Sequence, residues 1–101
     1  MLRGSSLLTA VLDGISRATD MLPPSADSRI EQTPDHWLNR SVSWAVEVGD
    51  LGAQMVVWED GTAELDLVDM GTVDAHSEHL EINGPIEIEL VTNKVLDWVV
   101  Q

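Results

Sequence analysis

The chain has 101 residues and a formal net charge of −13 at pH 7, with 18 acidic residues against 5 lysines and arginines. A chain of this length fits a single domain with one hydrophobic core. Such a strong negative field repels nucleic acid and anionic membranes, so it argues against both as partners and favours a basic protein. The acidity could also serve solubility alone, and composition does not separate these two interpretations.

The chain contains no cysteine, which excludes disulfides and thiol chemistry and is in keeping with the cytoplasm. The apolar stretch at residues 5–12 is ended by Asp13 and is too short for a secretory signal. No apolar run reaches the roughly 18 residues that a membrane-spanning helix needs. We therefore expect a cytoplasmic protein.

Residues 5–21 are predicted to form a helix, because apolar side chains recur along them at helical spacing. Gly14 weakens this helix by up to about 1 kcal/mol relative to alanine, so the helix needs tertiary packing. Pro23-Pro24 ends it, since proline disfavours helical geometry in the residue before it. Residues 23–40 are predicted to form a connector, because residues 23–36 are rich in Pro, Ser and Asp. In this connector, Trp37 either covers the core or lies on the surface.

Residues 41–82 are predicted to form an antiparallel meander of three or four strands. Asp60-Gly61 stands between two β-rich runs and predicts a tight hairpin, because glycine accepts positive φ at no steric cost. In the strand that follows, Ala63, Leu65 and Leu67 point to one face, and Glu64, Asp66 and Val68 point to the other. This alternation predicts a half-buried strand with an acidic outer face. A polar fourth strand is predicted around His76–Ile82.

Residues 85–100 are predicted to form a second helix, with Asn83 as its cap and Pro85 in its first turn. The alternation at the start of this segment also fits a strand, but its length without a strong turn signal favours a helix. The two helices would cover one face of the sheet, which defines an α+β domain over residues 1–101. Three of the four tryptophans are expected to anchor the core: Trp44, Trp58 and Trp98.

No catalytic motif is found, and we expect a protein that is not an enzyme and uses no cofactor. Glu64 and Asp66 lie two residues apart on one strand face, as paired acid–base carboxylates can, but no Ser–His or Cys–His pair stands nearby. Calcium is disfavoured because the run lacks the Asp-x-Asp-x-Asp-Gly register. The carboxylates of the hairpin are interpreted either as a solvated face or as a recognition face for a protein partner. The candidate partner-binding residues are Glu59, Asp60, Glu64, Asp66 and Asp69.

A second group combines Asp74, His76, Glu78 and His79, whose residue types bind zinc and other transition metals. On a helix, a spacing of three residues would place the two histidines on one face, whereas on a strand, which we favour here, it places them on opposite faces. The chain has no second cluster to complete four ligands. We therefore predict solvated polar residues at a sheet edge and no metal site.

Two further features have both a structural and a functional interpretation. Trp58 and Gly61 are explained by the core and by the turn, although a tryptophan exposed at a hairpin end would suit an interface. The apolar end of the second helix, Trp98–Val100, points weakly to self-association, so a homodimer is a further option.

The run Val57-Trp58-Glu59-Asp60-Gly61, followed by Glu64-Leu65-Asp66, resembles small immunity proteins of bacterial polymorphic toxin systems, in particular the TriTu-like group. A preceding strand of Trp-x-Val type and a C-terminal helix extend the resemblance over residues 42–100. It implies a cytoplasmic protein that binds a cognate toxin domain and blocks it by occlusion, without catalytic residues. The alternative is a small acidic secretion chaperone that binds an effector segment as a dimer.

Overall fold

A computed structural model describes residues 4–34 and 36–100. The strands pair in chain order as one antiparallel sheet of five strands. This confirms the predicted α+β class and meander, with five strands in place of three or four. The elements are α1 (Gly4–Thr19), β1 (Asp27–Gln32), β2 (Ser41–Val48), β3 (Leu51–Trp58), β4 (Thr62–Asp69), β5 (Asp74–Glu81) and α2 (Pro85–Val99).

The strand β1 corrects the prediction of a connector over residues 23–40. The sequence of β1 lacks the apolar alternation by which a strand is recognised, and every residue of β1 is exposed in the structure. It forms by antiparallel pairing with β2, from Asp27 opposite Glu47 to Gln32 opposite Val42. Its backbone hydrogen bonds, rather than burial of its side chains, therefore place it at the edge of the sheet.

Both helices pack on the same face of the sheet and share one hydrophobic core with it. The inward residues of β2, β3 and β4 alternate with residues on the other face, as expected for a sheet covered on one side. Neither helix, within the described residues, combines the length and hydropathy needed to cross a membrane. The largest fully buried side chains are Trp44, Leu7, Ile15, Met55 and Leu65.

The helix ends differ slightly from the predicted bounds of residues 5–21 and 85–100. The residue in the cap position of α2 is Gly84, not Asn83 as predicted, and its extended backbone provides no side-chain cap. Instead, the backbone N–H of Asn83 donates to Oε1 of Glu87 at 3.2 Å. The prediction that the Asn83 side chain caps α2 was therefore wrong. The hydrogen bond runs the other way, from the backbone of Asn83 to the side chain of Glu87 in the first turn.

The four tryptophans occupy different environments. Trp44 is fully buried, and Trp98 is half-buried against the core and donates its indole N–H to the carbonyl of Val68 at 3.0 Å. Trp58 does not anchor the core as predicted, because it alternates with the buried Val57 and lies on the opposite face. Trp37 lies on the surface, in the loop between β1 and β2.

Candidate functional site

The candidate functional site is the face of the sheet opposite the helices, called the open face below. Alternate residues of all five strands form it, and strand register places them in rows across the sheet. Two rows cross its middle: one of Arg29, Ala45, Gln54, Asp66 and Ser77, and one of Glu31, Ser43, Val56, Glu64 and His79.

Acidic side chains dominate the charge of the open face. Among the described strands, Arg29 is the only lysine or arginine on this face, and its Nη1 lies 3.7 Å from Oε1 of Glu31. Because both partners are exposed, such a pair contributes little to stability and leaves the field of the face negative. The acids placed here by register are Asp27, Glu31, Glu47, Glu64, Asp66 and Glu81.

Glu64 and Asp66 lie near the centre of the open face, and both are half-buried. The hydroxyl of Ser77 donates to Oδ1 of Asp66 at 2.6 Å. Nδ1 of His79 lies 3.4 Å from Oε1 of Glu64. The edge strand β5 thus orients both carboxylates, which stay partly exposed.

The open face carries two adjoining concavities, with volumes of about 370 and 180 Å³. Ala45 and Glu47 line both, so together they form one depression that runs from β1 to β4. Asp66 and Val68 close it on the β4 side. The depression is open to solvent and offers a broad contact surface, in contrast to the enclosed apolar pocket typical of small-molecule sites.

Two of the predicted binding residues, Asp60 and Asp69, shape turns. Oδ1 of Asp60 accepts from the hydroxyl of Thr62 at 2.7 Å and from its backbone N–H at 2.9 Å. These two hydrogen bonds hold the pKa of Asp60 below the ordinary aspartate value, and the bond from the Thr62 hydroxyl has the larger effect. Oδ1 of Asp69 accepts from the N–H of Gly71 at 2.9 Å. Both carboxylates therefore have local structural roles.

Glu59 joins two loops at one end of the sheet. Its Oε2 accepts from Nε of Arg40 at 3.3 Å, and its backbone N–H donates to the carbonyl of Arg40 at 2.8 Å. The structure therefore divides the five predicted carboxylates, with Glu64 and Asp66 on the open face and the other three at turns. Their contact with a partner stays a prediction.

The histidines of β5 point to opposite faces, as expected for a strand. His76 is on the helix side, where its Nε2 lies 3.1 Å from Oε2 of Glu78, whereas His79 is on the open face. Nζ of Lys94 donates to Oε1 of Glu78 at 2.9 Å. The hydrogen bonds from Lys94 and His76 lower the pKa of Glu78, and the bond from Lys94 has the larger effect. Among the described residues, no three His, Cys, Asp or Glu side chains form a group suited to a metal ion.

Trp58 is the open-face residue that sequence reasoning placed wrongly. It stands opposite Ser41 on β2, at the end of β3 that leads into the turn. Apolar residues occupy both faces of β3, since Val56 and Trp58 alternate with the fully core-facing Met55 and Val57. The register of β3 on its neighbours decides which of these faces is buried, and that register is set in the folded sheet.

The chain matched no protein-family model, no curated protein and no solved structure.

Proposed function

We propose that this protein is a non-enzymatic, cytoplasmic immunity protein of a bacterial toxin system, which binds a cognate toxin domain through the open face. The observation that carries the proposal is the asymmetry of the sheet. One face is buried under both helices, whereas the other is uncovered and acidic around Glu64 and Asp66. The resemblance around Trp58 and Gly61 supports the same function.

Charge complementarity supports a basic partner. Toxin domains that act on nucleic acid or nucleotides expose basic active sites, because their substrates carry phosphates. Carboxylates such as Glu64 and Asp66 can occupy such a site in place of phosphate groups. A complementary field also accelerates association, which benefits a protein that must capture a toxin before it acts.

The dimensions of the open face fit most of one protein–protein interface. Four strands of 8 residues and one of 6, spaced about 4.8 Å apart and rising about 3.3 Å per residue, give a flat face on the order of 500 Å² before side-chain relief is counted. A standard interface buries about 800 Å² on each partner. The open face is therefore large enough to form most of an interface, and loops at the margin of the sheet can add to it.

A dimeric secretion chaperone is the second candidate. Ile86 and Leu90 are large apolar residues exposed on the outer side of α2, where a second copy could pack. The two functions make different demands on the partner. An immunity protein binds a folded toxin domain, whereas a chaperone binds an unfolded effector segment and is a dimer in the absence of that segment.

Protection of growth tests the proposal. The toxin domain encoded by the neighbouring reading frame is co-produced in bacteria with the wild-type protein, with E64K/D66K, or with the control E89K/D97K. The control makes the same change in net charge at exposed positions of α2. We expect the wild type and the control to restore growth and the open-face variant to lose protection. Equal protection by all three proteins would place the recognition surface elsewhere.

A further inference from the structure

The loop between β1 and β2 presents two adjacent large apolar side chains to solvent. Trp37 is 55% exposed and Leu38 is 95% exposed, and neither belongs to the hydrophobic core. A single exposed leucine is ordinary on a protein surface, whereas a tryptophan beside it forms an apolar protrusion. Tryptophan is also among the residues that most often dominate binding energy at interfaces.

The base of this loop is held by hydrogen bonds. Three hydrogen bonds link Thr33 and Ser41: the Thr33 N–H donates to the Ser41 carbonyl at 3.1 Å, the Thr33 hydroxyl donates to the same carbonyl at 3.4 Å, and the Ser41 N–H donates to Oγ1 of Thr33 at 2.8 Å. The Trp37 N–H donates to the carbonyl of Pro34 at 3.1 Å. Asn39 adopts φ of 53°, a left-handed conformation that asparagine tolerates. Hydrogen bonds thus hold Thr33, Pro34, Trp37 and Ser41 before binding, and residues held in this way lose less conformational entropy when they bind.

The loop adjoins the open face. The loop between β1 and β2 and the turn between β3 and β4 lie at the same end of the sheet, joined by the ion pair of Arg40 and Glu59. That turn carries Asp60, and the last residue of β3 before it is Trp58, which belongs to the open face. Glu64 lies on the open face close to the same end. Apolar and acidic contacts are thus presented side by side.

We propose that Trp37 and Leu38 form the apolar anchor of the toxin interface, and that they insert into an apolar cleft bordered by lysine or arginine side chains of the toxin domain. The carboxylates of Asp60 and Glu64 would meet that basic border. This inference rests on the proposed function and adds the loop at the margin of the open face to the contact surface. It assigns the two classes of contact different kinetic roles, because charges govern association and buried apolar contacts govern dissociation.

A matched control is available at the other end of the sheet. Met70 and Val73, in the turn between β4 and β5, are also exposed apolar residues. The test measures association and dissociation rates with the purified toxin domain of the neighbouring reading frame. The variants are W37A/L38S, the milder W37F, and the control M70S/V73S, each first shown by thermal melting to be folded.

We expect W37A/L38S to dissociate at least about tenfold faster, with its association rate within about twofold of the wild type. W37F should show a smaller increase, and M70S/V73S should dissociate like the wild type. An unchanged dissociation rate for W37A/L38S, or an equal increase for the control, would overturn the anchor. If E64K/D66K still slows association in that case, the proposed function survives without the anchor. Failure of the wild type to bind would overturn both.

Discussion

At the scale of single residues, Trp44 connects the core with the polar edge of the sheet. Its side chain is fully buried, and its indole N–H donates to Oγ of Ser28 at 2.8 Å. A buried indole N–H needs a partner, since leaving it without one carries a desolvation penalty. The bond is therefore a specific side-chain link between β2 and β1, a strand whose residues are all exposed.

We predict that Ser28→Ala lowers the free energy of unfolding by about 1–2 kcal/mol, because it removes the acceptor of a buried donor. The control is Ser43→Ala, at a serine on the open face of β2, which should change stability by no more than about 0.5 kcal/mol. Urea denaturation measures both variants. If Ser28→Ala were as stable as Ser43→Ala, the side-chain bond would not contribute, and backbone pairing alone would hold β1 in place.

Residue patterns predicted the burial of some side chains but not of others. Trp44 and the inward residues of β4 follow strict alternation, so their face is readable from the sequence. Trp58 is not readable in this way, because β3 has apolar residues on both faces. The tight turn at Gly61, which has φ of 94°, was predictable from local chemistry alone.

At the scale of elements, Gly14 explains how closely α1 approaches α2. A Cβ at this position would lie 2.7 Å from Cγ2 of Ile88, a buried side chain of α2. Helix propensity alone disfavours glycine in the middle of α1. The glycine is needed because the second helix leaves no room for a methyl group.

We predict that Gly14→Ala lowers the free energy of unfolding by about 1–3 kcal/mol, since the steric overlap outweighs a helix-propensity gain of about 1 kcal/mol. In an Ile88→Ala background the overlap is absent, so the same substitution should be neutral or stabilising. A double-mutant cycle by chemical denaturation measures this reversal. A destabilisation of equal size in both backgrounds would contradict it.

A second contact between elements joins α2 to the edge strand β5. Glu78 accepts hydrogen bonds from Lys94 and His76, in that order of influence, and its pKa is lowered. A carboxylate with a lowered folded-state pKa contributes stability that is complete above its unfolded pKa and is lost as pH falls through the folded value. The contribution of this contact should therefore decrease below about pH 4.5.

We predict that Lys94→Met raises the pKa of Glu78 and weakens the loss of stability on acidification below that pH. An NMR titration of the Glu78 carboxyl, together with thermal melts across the acid range, measures both effects. Asn93→Ala, at the exposed neighbouring position of α2, is the control and should leave the titration unchanged. Identical acid profiles for Lys94→Met and the wild type would show that the bond has no role in linking β5 to α2.

The elements differ in how far they could be predicted. Both helices and the strands β2 to β4 have a periodicity or a turn signal, and their order was predictable, whereas the polar β5 was predicted only as the fourth of three or four strands. The strand β1 has neither, because Asp27–Gln32 forms no apolar alternation and owes its place to pairing with β2. A strand of this kind becomes visible only when its partner strand is folded.

At the scale of the whole molecule, the two faces of the sheet differ in their surroundings. The helices and the inward face of the sheet form the core, whereas the open face presents carboxylates to solvent. After Arg40, Lys94 is the only lysine or arginine in the chain, and it is bound to Glu78 on the helix side. The negative field of the open face is therefore not neutralised by basic side chains from the same part of the chain.

The acidic character of the candidate site was predictable from the sequence, but the set of strands and residues that form it was not. Alternation along β4 indicated that Glu64 and Asp66 share an outward face. The contributions of β1 and β5 to that face, and the position of Trp58 on it, depend on sheet register. Spacing along one strand cannot supply register, because it is set by contacts between strands that are distant in sequence.

The central claim is that the acidic open face steers association with a basic toxin domain. The most direct test is the association rate with that domain across a salt series, for the wild type, E64K/D66K and E89K/D97K. We predict that the wild-type rate falls steeply with salt, and that E64K/D66K associates about tenfold or more slowly at low salt with a flatter dependence. The control should keep the wild-type slope, and the same slope for all three proteins would contradict the claim.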